Sequence, residues 1–157
     1  MVVTDIINEQ DEFKAHCYEF ALWRRKWQEY RDICVLDWQL YPLADHERPS
    51  IPDQPGIYTL LVQPGIASHP ACSYLMYVGQ TTSLRRRFGE YLTSEKRETG
   101  RPKIFRLLNM YPDHAWFCFS LVPDANLDVV EAALLTAYIP PANDQLPAQV
   151  RRVTGAF

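Results

Sequence analysis

Tyr77-Val78-Gly79-Gln80-Thr81-Thr82-Ser83-Leu84-Arg85-Arg86-Arg87 is the stretch on which the fold of this chain turns. Its first part continues an aromatic and apolar run from Tyr74, which reads as a strand ending at Gly79. Its second part offers Thr81, Thr82 or Ser83 as the cap of a helix running to about Thr93. Upstream, Gly56 to Val62 follows Pro55 and has the same β-branched and aromatic character. Gln63 to Ser73, between the two, holds two prolines and a glycine and reads as a loop. The two runs therefore predict an antiparallel hairpin with a long connection.

Working outward, Thr4 or Asp5 is placed to cap a long helix reaching about Ile33. Phe13, Cys17, Phe20, Trp27, Tyr30 and Cys34 recur at helical spacing and predict a buried stripe, packed on the following domain or on a second subunit. Cys34 to Tyr41 reads as a short strand or a further helical turn, and Pro42 to Pro55 as a polar, proline-rich linker. Beyond the central stretch, Ser94 to Pro102 is a polar loop and Lys103 to Met110 a helix. Ala115 to Val122 is a third strand, and Leu127 to Tyr138 a helix that Pro140-Pro141 ends. The pattern divides the chain into a helical extension with linker, residues 1–50, and a second unit, residues 51–157, that carries the tyrosine motifs.

Nearly half of the 157 residues are apolar, a composition that folds around a core. No apolar run approaches the ~20 residues that span a bilayer, so no membrane partner is expected. The N-terminus lacks the basic-then-apolar order of a secretory leader. Cys17, Cys34, Cys72 and Cys118 are scattered and form no C-x-x-C pair; they read as reduced, mostly buried thiols of a cytoplasmic protein. His69 and Cys72 lack the further ligands that a zinc site needs. The net charge is −3, yet residues 84–106 carry eight basic and three acidic side chains. One basic segment in an otherwise acidic chain is the footprint of a local phosphate-binding surface, or of a solvated helix face.

Three features carry chemistry. Arg85, Arg86 and Arg87 crowd the first turn of a helix, where cations oppose the helix dipole and an anion is favoured. A bound phosphate there would satisfy both the amides and a guanidinium, while Arg85 and Arg86 splay into water. Arg87 and Tyr91, four apart, share one helix face. Glu131 stands alone in the apolar run Val129 to Leu135, and a hard carboxylate in such surroundings suits Mg²⁺, held with substrate and water. Tyr58 and Tyr77 are strand tyrosines, each beside a glycine-bearing motif. A phenol with an ordinary pKa near ~10 is a poor base, but a nearby cation lowers it. Gly79 and Gln80, ending the second strand, are substrate-contact candidates.

These residues resemble the GIY-YIG nuclease superfamily. Gly56-Ile57-Tyr58 matches its first motif, and Tyr77-Val78-Gly79 its second with Val for Ile. Arg87 falls at the family's catalytic arginine, Glu131 at its metal-binding glutamate, and Asn143 resembles the asparagine that closes the motif set. The resemblance spans about residues 55–145. Tyr91 stands where the family often has His, and Gln80 where some members have Lys. The two tyrosines are nineteen residues apart, because the Gln63–Ser73 loop is enlarged.

The resemblance implies an α/β domain of the α+β kind: a small three-stranded antiparallel sheet flanked by helices, here with an N-terminal helical extension. It implies hydrolysis of DNA phosphodiesters with one Mg²⁺ or Mn²⁺ on Glu131. Tyr58 or Tyr77 would handle the water, with Tyr91 beside them, and Arg87 would hold the scissile phosphate. Asn143 would support the site or contact substrate. Arg97, Arg101, Lys103 and Arg106 would meet the DNA backbone, and a homodimer could form through the N-terminal helix. The rival functions are a nucleic-acid-binding module without catalysis and a nuclease for RNA or single strands.

Overall fold

The structure, a computed structural model, describes residues 3–69, 71–93 and 101–154. In chain order the helices are α1 (Val3–Ala15), α2 (Arg24–Tyr30), α3 (Leu84–Leu92), α4 (Pro102–Met110), α5 (Leu127–Tyr138) and α6 (Ala148–Thr154). The strands are β1 (Gln39–Pro42), β2 (Gly56–Val62), β3 (Tyr74–Thr81) and β4 (Ala115–Leu121). They form one antiparallel sheet in the order β1-β4-β2-β3.

The hairpin forms as expected: Tyr58 lies opposite Gly79, and Ile57 opposite Gln80. The pairing slips between Leu60 and Leu61, which absorbs Met76 as an extra residue on β3. β4 pairs along the other side of β2, with Tyr58 opposite Phe119.

The sheet has four strands among the described residues, not three. Gln39–Pro42, on the N-terminal side of the expected division at residue 50, pairs with β4. Tyr41 stacks on Phe119 with ring centres 6.0 Å apart. The run is four residues long and half exposed, too short to show a clear alternation. The expected linker is also partly core, since Leu43 and Ile51 are buried on either side of a 3₁₀ turn at Asp45–Ser50.

The long N-terminal helix divides into α1 and α2, with residues 16–23 between them. Aromatic and β-prone side chains here are weak helix formers, and tertiary contacts decide instead. His16 Nδ1 bonds the Tyr111 hydroxyl at 2.7 Å, and Trp27 Nε1 donates to the Ala137 carbonyl of α5 at 2.7 Å. The second half of the expected stripe therefore has an intramolecular partner, while Phe13 is exposed. The four cysteines are free; Cys17 is exposed and the other three half-buried, so the expected burial is not found.

Side chains of the sheet alternate between two cores. On one face Tyr58, Leu60, Tyr77, Phe117 and Phe119 meet Leu84, Phe88 and Tyr91 of α3, and Ile104, Leu107 and Leu108 of α4. On the other, Ile57 and Val78 meet Leu127, Val130, Leu134 and Leu135 of α5. Each such fully buried apolar side chain contributes about 1.5–3 kcal/mol. The two layers fix α3 and α5 on opposite sides of the end of β3. Among the described residues no helix is long and apolar enough to cross a membrane.

Candidate active site

The site is organised around Gly79 and Gln80, where successive residues of β3 face opposite sides of the sheet. On the α3 side, a Cβ at Gly79 would lie 2.5 Å from the Tyr58 hydroxyl oxygen, 2.6 Å from its Cζ and 2.8 Å from Tyr77 Cε1. Glycine is needed there because the phenol of Tyr58 crosses the strand at that point. Gly56 answers a similar need, since its Cβ would meet the Ser120 carbonyl at 2.5 Å and Leu84 Cδ1 at 2.7 Å.

The Tyr58 hydroxyl bonds that of Tyr91 at 2.8 Å, deep in the core. Burial raises the pKa of Tyr58; Arg87 and Arg101 oppose the rise, and the Glu131 carboxylate adds to it. Burial pushes Tyr91 well above the usual phenol value, and Tyr58 adds to that rise. Both phenols are thus held protonated at neutral pH. The Tyr77 ring lies 6.0 Å from that of Tyr58.

Ser83 caps α3: its hydroxyl accepts from Arg86 N and donates to the Asp53 carboxylate. The expected phosphate at this helix end meets a competitor. Leu84 N donates to the Gln54 carbonyl at 3.0 Å and Arg85 N to that of Pro52 at 3.1 Å, so these amides are already satisfied within the protein. Arg85 does not splay into water with its Nε, which donates to the Ile51 carbonyl at 2.8 Å. Arg86 is exposed and pairs with Glu90 at 3.3 Å. Arg87 faces inward, as the helix face required. Its Nη1 contacts Glu90 Oε2 at 2.9 Å, and its buried Nε has no hydrogen-bond partner among the described residues. A buried guanidinium N–H without an acceptor is costly, and an incoming oxyanion is the acceptor it fits.

On the α5 side, Glu131 is half-buried, and desolvation raises its pKa despite hydrogen bonds from Gln80 and the charge of Arg101. Gln80 Nε2 donates to Asp128 Oδ1 at 2.7 Å and to Glu131 Oε2 at 2.9 Å. Asp128, three residues before Glu131 on the same helix, is a site residue absent from the sequence expectations, and the spacing of three is the signal for it. Among the described residues no cluster of three or more His, Cys, Asp or Glu side chains is suited to a metal. A cation here would have to take one or two carboxylates and complete its shell from water and substrate, which is the habit of Mg²⁺. The hard oxygen donors of Glu131 and Asp128 fit that ion.

Asn143 is fully engaged with β3. It accepts from Val78 N at 2.9 Å and donates to Val78 O at 2.8 Å, while Ala142 N donates to Met76 O at 2.9 Å. Among the described residues the later part of the basic segment disperses. Arg101 places its guanidinium 5.5 Å from the centre of the Tyr77 ring. Lys103 pairs with Asp144 at 2.8 Å, and Arg106 Nη2 donates to the Ala15 carbonyl at 3.1 Å. Arg97 lies outside the described residues.

No protein-family model matches the chain, and no curated protein matches it significantly. Among solved structures it is similar to the GIY-YIG N-terminal endonuclease domain of UvrC from Thermotoga maritima. A point mutant of that domain bound to its catalytic divalent cation shares 19% identity at a TM-score of 0.45, over 64% of this chain and 93% of that one. The form bound to magnesium shares 20% at a TM-score of 0.44, over 62% and 92%. At such values the likeness is one of fold outline, and the chemistry of this chain rests on its own residues.

Proposed function

We propose that this chain is a metal-dependent endonuclease that hydrolyses phosphodiester bonds of DNA. The observation that supports the proposal is the buried Arg87 Nε, which lacks an acceptor among the described residues, together with Tyr58 and Tyr77 packed at Gly79 and Glu131 bonded to the next residue, Gln80.

Hydrolysis needs a water oriented on phosphorus, a clamp on the phosphate and a means to carry growing negative charge. The water oxygen bonds phosphorus and releases one proton, the bond to one ester oxygen breaks, and the departing oxygen takes up a proton, so that the elements of one water are added across the bond. Arg87 supplies a forked donor for the phosphate oxygens. Tyr77, whose ring is not tied into the Tyr58–Tyr91 hydroxyl pair, positions the attacking water. Tyr58 and Tyr91, kept protonated by burial, serve as hydroxyl donors rather than bases. Glu131, with Asp128 beside it, would hold Mg²⁺ or Mn²⁺; such an ion supplies Lewis-acid stabilisation of charge on the phosphate. Gln80 keeps both carboxylates in place. Asn143 acts on the site by fixing β3.

The test is incubation of purified protein with supercoiled plasmid, single-stranded DNA and RNA, with Mg²⁺, Mn²⁺ or EDTA. Metal-dependent cutting of duplex DNA is expected, lost in Arg87→Ala and Glu131→Ala. Cutting that survives EDTA or both substitutions would sink the mechanism. Binding of DNA without cutting would point to a module that only binds, and cutting confined to RNA or single strands would replace the substrate.

A further inference from the structure

Arg101 is the residue on which α4 opens, and its guanidinium carbon sits 5.5 Å from the centre of the Tyr77 ring. Its charge also reaches the Tyr58 phenol and the Glu131 carboxylate. Arg87 acts on the same phenol from α3. Two guanidinium groups, carried by different helices, therefore bear on one phenol. Their commitments differ. Arg87 shares its charge with Glu90 at 2.9 Å, whereas among the described residues Arg101 contacts the Tyr77 ring and forms no ion pair. The Tyr77 ring is buried, so its face is a fixed shelf that holds an otherwise exposed arginine in one place. Lys103 and Arg106 lack such a station; one is paired with Asp144 and the other with the N-terminal segment.

A phosphate undergoing displacement spreads its charge over several non-bridging oxygens, and one guanidinium already shared with Glu90 neutralises only part of it. We propose that Arg101 is a second clamp on the scissile phosphate: shelved on Tyr77, it bonds a non-bridging oxygen while Arg87 bonds another. Arg101 is then a catalytic residue and not a remote backbone contact. This assignment rests on the nuclease function proposed above.

Single-turnover cleavage of duplex DNA in Mg²⁺ separates the two roles, alongside the Kd of the same uncleaved duplex in Ca²⁺. Wild type, Arg101→Ala, Arg101→Lys and Arg87→Ala are compared, each checked for folding by circular dichroism. Arg101→Ala is expected to lower the cleavage rate about a hundredfold while the Kd changes by only a few fold. Arg101→Lys restores part of the rate, because a point charge replaces the fork. A wild-type rate in Arg101→Ala, or a weaker Kd with a salt slope smaller by about one at an unchanged rate, overturns the assignment and leaves the nuclease function standing. If the wild-type chain cuts no nucleic acid, both fall together.

Discussion

The hydroxyls of Tyr58 and Tyr91 are 2.8 Å apart in the core, and each is the other's hydrogen-bond partner. A tyrosine of β2 and one of α3 thereby form a single polar unit inside an apolar layer. Neither can lose its proton without leaving a phenolate in surroundings that solvate it poorly.

The contributions of the two hydroxyls to stability are therefore coupled. Tyr91→Phe takes away the hydrogen-bond partner of the buried Tyr58 hydroxyl and is expected to cost about 1–2 kcal/mol, while the double variant with Tyr58→Phe costs less than the sum of the two single variants. Urea unfolding of the three variants measures this. Strict additivity would mean that the two hydroxyls are not coupled.

The same pair sets the alkaline limit. The folded-state pKa of each phenol is raised, so the folded chain holds these protons more tightly than the unfolded chain does. Stability then falls as pH rises above the ordinary phenol value of ~10 towards the raised values. Absorbance near 295 nm should show two phenols silent until the protein unfolds, and both should vanish from the count in the double Phe variant. Early ionisation of either would contradict the burial described. Activity near neutrality should likewise be free of any ionisation of Tyr58.

Gly79→Ala tests the crossing of Tyr58 over β3. The added methyl meets the Tyr58 oxygen at 2.5 Å and Tyr77 at 2.8 Å, so one ring must move. A loss of about 1–3 kcal/mol is expected, with near-complete loss of cleavage. A stable and active Gly79→Ala variant would mean that the rings have room to spare.

Asn143→Ala removes both bonds to Val78 and leaves its N–H and carbonyl to water. A cost of about 1–3 kcal/mol is expected, with faster amide exchange at Val78 than at Thr59 across the hairpin. Asn143→Asp keeps the acceptor and loses the donor, so it should fall between. Uniform exchange along β3 in Asn143→Ala would show that other contacts hold the edge.

Metal removal separates the two carboxylates. Binding of Mn²⁺ without DNA, followed by electron paramagnetic resonance, should vanish in Glu131→Ala. It should weaken about 10- to 100-fold in Asp128→Asn and in Gln80→Ala, which frees the carboxylates from their shared donor. Unchanged Mn²⁺ binding in Glu131→Ala would place the ion elsewhere.

The hairpin, a cap of α3 among Thr81, Thr82 and Ser83, and the apolar helix α5 were legible because each is a local pattern of period, breaker or cap. The inward turn of Arg87 followed from helix spacing alone. β1 was legible only as one of two readings of Cys34–Tyr41, a short strand or a further helical turn, since four half-exposed residues acquire their identity by pairing with a strand some eighty positions later. The break between α1 and α2 was hidden for the same reason, as Tyr111 and Ala137 capture His16 and Trp27 from far along the chain. Within the site, the residue types were readable, but their pairings were not. The bond between Tyr58 and Tyr91 and the shelf under Arg101 depend on how α3 and α4 lie on the sheet, and local sequence does not encode that.

The binding of Ala142 and Asn143 along β3 has a counterpart at the opposite margin of the sheet. There β1 ends after four residues in Pro42, which has no N–H to offer a neighbour. With one margin cut short and the other already occupied at Met76 and Val78, the sheet gives another molecule little template for strand addition. Growth by edge-to-edge aggregation is discouraged at both ends, and if two copies act together on a duplex, they must meet through helices or loops.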